Sequence, residues 1–117
     1  MDNESQLWVG LGYIAFMVLL AYIFKKNPPK KINWLYGYRT KRSMANEKVW
    51  RAANDYSLST MFIWQLYCLG LPLFGYFLYP KHNLLVSIII HTIVIVAIIP
   101  ATEVYLNKYF DKKGNPK

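Results

Sequence analysis

The sequence predicts an all-α membrane protein: three transmembrane helices, with a cytoplasmic amphipathic helix in the loop between the first two. Three observations predict it. Apolar residues make up over half of the 117-residue chain, yet they gather in three blocks instead of scattering as in a soluble domain. The formal charge of +8 is carried almost entirely by the segments between and after those blocks. Those charges divide between the two sides of a threefold crossing as the positive-inside rule requires. The length corresponds to one domain, residues 1–117.

The first span covers about 7–24, "LWVGLGYIAFMVLLAYIF", eighteen residues without a charge. At 1.5 Å per residue it is roughly 27 Å long, enough for the hydrocarbon core. Trp8 and Tyr22 stand near its ends as interfacial anchors. The acidic start, "MDNESQ", lacks the positive n-region of a signal peptide, so the block is expected to be retained.

The second span covers about 58–79. It is uncharged but carries Ser59, Thr60 and Gln65, and Pro72 is expected to bend it by freeing a backbone carbonyl. "YPKHN" then reads as a short turn, which makes the second and third spans an antiparallel hairpin. The third span covers about 84–106 and contains His91, Pro100 and Glu103.

The loop 25–57 carries nine Lys or Arg against Glu47 and Asp55, and the tail after Asn107 carries four Lys. The N-terminal segment has no basic side chain and the 80–83 turn has one, Lys81. Orientation follows: N-terminus outside, loop and C-terminus in the cytoplasm. Lysines in "KKNPPKK" lie where anionic lipid headgroups attract them. The same spans argue against a nucleic-acid binder, despite the positive charge.

Within the loop, Trp34, Tyr36 and Tyr38 alternate around Gly37, which suggests an extended or turn segment with rings at the interface. "SMANEKVWRAANDYS" reads as an amphipathic helix with Ser43 as N-cap. Val49, Trp50, Ala53 and Tyr56 share its apolar face. Glu47–Arg51 and Arg51–Asp55 are i,i+4 pairs on the other. Asn46 and Asn54 lie towards the apolar side, where asparagines bond to backbone and fasten a loop.

The stretch Asn33 to Asn54, "NWLYGYRTKRSMANEKVWRAAN", resembles the signature of the SdpI family of small bacterial membrane proteins. The matching residues are Asn33, Gly37, Tyr38, Arg39, Thr40, Ser43, Met44, Asn46, Glu47, Trp50, Ala53 and Asn54. The flanking spans and basic ends fit as well, so the resemblance covers nearly the whole chain. It implies a bacterial inner-membrane protein. The family's founding member is longer, with extra N-terminal spans. It is an immunity protein against a secreted peptide toxin and a receptor that sequesters a transcriptional repressor. A peptide toxin or a cytoplasmic regulator is therefore the partner the resemblance implies.

The motif residues are candidates for contact with a ligand, a lipid or a partner. Arg39 can reach a lipid phosphate or pair with Glu47. The alternative to an immunity or relay role is a lipid- or small-ligand-binding module with its pocket at 33–54. Gln65, His91 and Glu103 are intramembrane polar residues. An interhelical hydrogen bond from His91 to Gln65 or Tyr67 is the expectation, and Glu103 is expected to pair with Arg39 or Arg42. No nucleophile motif, phosphate loop or metal-ligand spacing occurs, the single Cys68 forms no disulfide, and the carboxylates are scattered. Neither cofactor nor catalytic set is expected. Gly10, Gly12, Gly70 and Gly75 permit close helix contact, and a homo-oligomer is compatible with so small a bundle.

Overall fold

The computed structural model describes residues 1–33 and 35–117. Trp34, expected at the interface, lies outside the described residues. Among the described residues the helices are α1 (Asn3–Lys26), α2 (Glu47–Cys68), α3 (Leu71–Leu78) and α4 (Asn83–Tyr109). A 3-10 turn, Pro80–His82, joins α3 to α4. Among those residues three helical units, 3–26, 47–78 and 80–109, are long and apolar enough to cross a membrane. They form an elongated bundle of 53 × 23 × 20 Å in which α1, α2 and α4 pack on one another and α3 packs on α4 and α1.

Most apolar side chains face outward. Trp8, Phe16, Leu19, Phe74, Phe77 and Ile93 are all exposed, and the core is instead rich in polar residues: Gln6, Asn54, Ser57, Gln65, Asn83, Ser87, His91 and Thr102. This inversion is what lipid demands. Acyl chains solvate leucine as well as a neighbouring helix does, so close packing and hydrogen bonds hold helices together.

Both ends of α1 are built by local chemistry. Asp2 accepts the Ser5 N–H at 2.6 Å as its N-cap, and Lys25 and Lys26 occupy the last turn, where the helix dipole favours cations. Gln6 then reaches across the bundle. Its Nε2 donates to the Lys81 carbonyl at 2.9 Å and its Oε1 accepts the Leu84 N–H at 3.2 Å, so a side chain of α1 satisfies the start of α4.

The amphipathic segment forms the first turns of α2 and leads directly into the membrane-crossing part. Pro72 acts on the span at Leu69–Gly70, where the helix is interrupted although both residues keep right-handed helical angles. Pro72 has no N–H for the Cys68 carbonyl, and the last turn of α2 tightens instead, with Leu69 and Gly70 donating three residues back to Leu66 and Tyr67. Helix α3 restarts with Pro72 in its first turn, where the missing donor costs little. Gly75 of α3 lies against the Asn83 backbone, and a Cβ there would stand 3.0 Å from the Asn83 oxygen. Pro100, by contrast, is accommodated inside α4 without ending it.

Candidate functional site at the basic end

The loop between α1 and α2 meets the end of α4 and the tail at one end of the bundle. Asn33 shapes the approach. Its Oδ1 accepts the Leu35 and Tyr36 N–H groups at 2.9 and 3.0 Å, a turn held by a side chain. Gly37 follows with φ +103°, a left-handed conformation other residues resist, and a Cβ there would stand 2.6 Å from both Asn54 Oδ1 and Pro29 Cγ. The glycine therefore lets the backbone lie directly on α2.

Tyr38 is buried on that helix. Its N–H donates to Asn54 Oδ1 at 2.6 Å, and Asn54 Nδ2 donates to the Trp50 carbonyl at 3.0 Å and the Tyr38 carbonyl at 3.4 Å. Thr40 and Ser43 lock the next turn reciprocally: the Thr40 N–H donates to Ser43 Oγ at 2.8 Å, and the Ser43 N–H to Thr40 Oγ1 at 3.1 Å. Ser43 is thus not the helix cap. Asn46 is, accepting the Val49 N–H at 2.9 Å, with Glu47 exposed in the first turn beside the positive dipole end. Trp50 is fully buried, and its Nε1 donates to the Pro29 carbonyl at 2.8 Å. The expectation that asparagines fasten this loop to backbone is met at Asn46 and Asn54.

The loop is also tied to α4. Tyr38 donates its hydroxyl to the Ile99 carbonyl at 3.2 Å. Arg42 bonds the Asn107 side chain and donates to the carbonyls of Phe110 and Asp111 at 3.0 and 3.2 Å, capping the α4 C-terminus with a cation. Asn46 Nδ2 donates to the Gly114 carbonyl at 2.9 Å. The tail is held in turn by Asp111, whose carboxylate accepts the Lys113 and Asn115 N–H groups at 2.9 Å each; backbone bonds, that from Asn115 foremost, hold its pKa below the usual value.

Glu103 does not pair with Arg42, contrary to expectation. Arg42 turns to the helix end instead, and among the described residues Arg42 Nε and Glu103 Oε2 are both buried without a hydrogen-bond partner. The two residues nonetheless share a groove of about 640 Å³ with Lys41, Ala45 and Lys112. Arg39 is exposed and lines a second groove, with Ile32, Thr40, Lys41 and Met44. Burial, reinforced by the nearby Glu103 charge, pushes the Tyr38 hydroxyl up to about 12.

The remaining polar residues lie deeper. His91 Nε2 and Gln65 Oε1 are 2.6 Å apart, and His91 Nδ1 lies 2.9 Å from the Tyr13 hydroxyl. With the Gln65 carbonyl accepting, Nε2 carries the proton and Nδ1 accepts from Tyr13, which links α1, α2 and α4 through one imidazole. Gln65 is the partner expected from the sequence; Tyr67 is exposed and is not. Tyr13 was not anticipated, because its span offers no contrast between aromatic filler and a hydroxyl with a task. Its place on the buried face of α1, near Gln6, Gly10 and Ile14, is the signal that finds it. Twelve residues of helix separate His91 from Glu103, roughly 18 Å. The polar groups therefore form two separate sets, one at mid-bundle and one at the basic end. Among the described residues, no group of His, Cys, Asp and Glu could hold a metal.

Comparison with known proteins places these observations. The sequence model of the SdpI/YfhL protein family matches residues 30–102, which includes the whole Asn33–Asn54 stretch. A Bacillus subtilis (strain 168) protein described as "Uncharacterized protein YfhL" is 44% identical over 64 residues, covering 55% of this chain and 58% of that protein. The chain thus aligns with less than two thirds of that relative's length. No solved structure matches.

Proposed function

Because the chain belongs to the SdpI/YfhL protein family, we propose that it is a non-enzymatic protein of the bacterial inner membrane that protects against a membrane-active peptide toxin, relays its presence, or does both. Protection acts through the outward part of the bundle. The relay uses the loop as a docking surface for a cytoplasmic regulator. The observation that carries this reading is the construction of the loop. Asn46, Asn54 and Ser43 direct their side chains to backbone, which makes a fixed platform, while Arg39, Lys41, Glu47, Lys48 and Arg51 stand exposed on it. Fixed backbone under exposed charge suits recognition of a partner more than turnover of a substrate. Basic residues crowd the end shared by loop and tail, which supports placing that end in the cytoplasm.

The test is survival. Cells lacking their own immunity and expressing this chain should withstand a membrane-active peptide toxin better than cells carrying an empty vector. Replacing Arg39, Lys41 and Lys48 together by Gln should abolish any transcriptional response while the protein still reaches the membrane in normal amounts. Equal killing with and without the chain, together with an unchanged response in the triple variant, would overturn the proposal.

A second reading, a lipid- or small-ligand-binding module, is favoured by one observation: the unpartnered Arg42 Nε and Glu103 Oε2 beside a common groove.

A further inference from the structure

The groove of Lys41, Arg42, Ala45, Glu103 and Lys112 is built unlike an ordinary basic surface. Three cations surround one carboxylate, so the net charge favours an anion, yet the wall includes a group that repels one. Lys41 and Lys112 make no side-chain hydrogen bond among the described residues and point to solvent. Arg42 is fixed by its bonds to the end of α4, so its charge is held in place. Glu103 is half-buried, one oxygen is covered and without a hydrogen-bond partner, and the carboxylate stands near the Tyr38 hydroxyl. A carboxylate that lines the groove with three cations and does not pair with Arg42 leaves its uncovered side to a donor from the groove.

Depth narrows the ligand. Glu103 lies six residues before Tyr109, about 9 Å inward from the end of α4. Tyr56, Tyr105 and Tyr109 cluster at this level, with Tyr56 stacked on Tyr105 at 4.3 Å. Such an aromatic belt marks the headgroup layer. Below it the outer wall of α4 is apolar and exposed at Val96, Ile99, Pro100 and Val104, a surface on which acyl chains can lie.

We infer that this groove binds a phosphate ester carrying a protonated amine, an ethanolamine-type headgroup, with Lys41, Arg42 and Lys112 around the phosphate and Glu103 accepting from the ammonium. This deepens the ligand-binding reading above and rests on it. The carboxylate is the selective element. It rewards an ammonium N–H, gains less from a quaternary amine that cannot donate, and disfavours a headgroup that is only anionic.

The full chain in detergent, given equimolar phosphatidylethanolamine, phosphatidylglycerol and phosphatidylcholine, would be followed by native mass spectrometry. Phosphatidylethanolamine should be retained preferentially. Glu103→Gln should lower its retention relative to phosphatidylglycerol by about tenfold, the worth of one charge-assisted hydrogen bond. Lys112→Ala, at an exposed tail position, should weaken both lipids alike, so the idea stays testable if the Glu103 variant folds poorly. A second arm adds water-soluble phosphoethanolamine. Retention of the lipid alone assigns a membrane source, and binding of the soluble ester with the same Glu103 dependence assigns a free one; either supports the proposal. Phospholipid retained without headgroup preference, a preference indifferent to Glu103→Gln, or retention unchanged by Lys112→Ala overturns the headgroup assignment while leaving a lipid-binding module. No retention of any lipid or ester removes that reading as well.

Discussion

Asn54 Oδ1 accepts the Tyr38 N–H at 2.6 Å, and the amide of the same side chain turns to the Tyr38 carbonyl at 3.4 Å. One buried side chain thus satisfies both backbone groups of a buried loop residue. Asn54→Ala should cost about 1–3 kcal/mol, because a buried donor is left unpaired. Gly37→Ala should damage the same contact from the other side, since its Cβ would overlap Asn54 and its φ is positive. Thermal unfolding in detergent would measure the loss, and protease sensitivity of the 30–46 loop would locate it.

Trp50 separates packing from hydrogen bonding. Trp50→Phe keeps a ring in the site but deletes the bond to the Pro29 carbonyl, and should cost about 1 kcal/mol plus the smaller ring's lost contacts. Trp50→Ala opens a cavity and should cost about 3–5 kcal/mol. Similar midpoints for both variants would show that the indole N–H, not the ring's bulk, carries the anchor.

The His91–Gln65 contact lies in the core of the bundle, where a double-mutant cycle applies. His91→Leu and Gln65→Leu should couple by roughly 0.6–1.7 kcal/mol, the range for interhelical bonds in membranes. Tyr13→Phe should weaken the bundle less, because it removes only the second bond to the imidazole. Strictly additive single and double variants would remove the bond from the account.

Alkaline pH tests Tyr38. Its folded pKa is raised from 10.0 to about 12, so the unfolded chain gives up this proton first. The resulting stability is intact below pH 10 and is lost as pH rises towards 12. Tyr38→Phe should flatten that part of the stability profile, and tyrosinate absorbance should show one hydroxyl titrating late in the wild-type chain only.

The three spans were legible because an uncharged apolar run of about eighteen residues or more matches the thickness of the hydrocarbon core and exceeds what a small soluble domain can bury. His91 and Gln65 were legible as partners because each is too polar to face lipid. Other features were not, for local reasons. Ser43 and Asn46 are both good caps, and choosing between them requires knowing that Ser43 is already engaged with Thr40. Pro72 announces a disturbance of the helix but not its form, a tightened last turn of α2 and a restart at Leu71. Arg42 was read as a partner for a carboxylate, yet the open carbonyls at the end of α4 took its donors. That contact joins segments 68 residues apart, a distance no local pattern encodes.

The partners of the Asn33–Asn54 stretch have a consequence for biosynthesis. Tyr38 waits for Ile99, Arg42 for Phe110 and Asn46 for Gly114, separations of 61, 68 and 68 residues. A ribosome delivers the first of each pair well before the second. During elongation the linker can therefore close on Asn54 and Trp50 as soon as α2 is made, whereas its ties to α4 and the tail wait for the last residues of the chain.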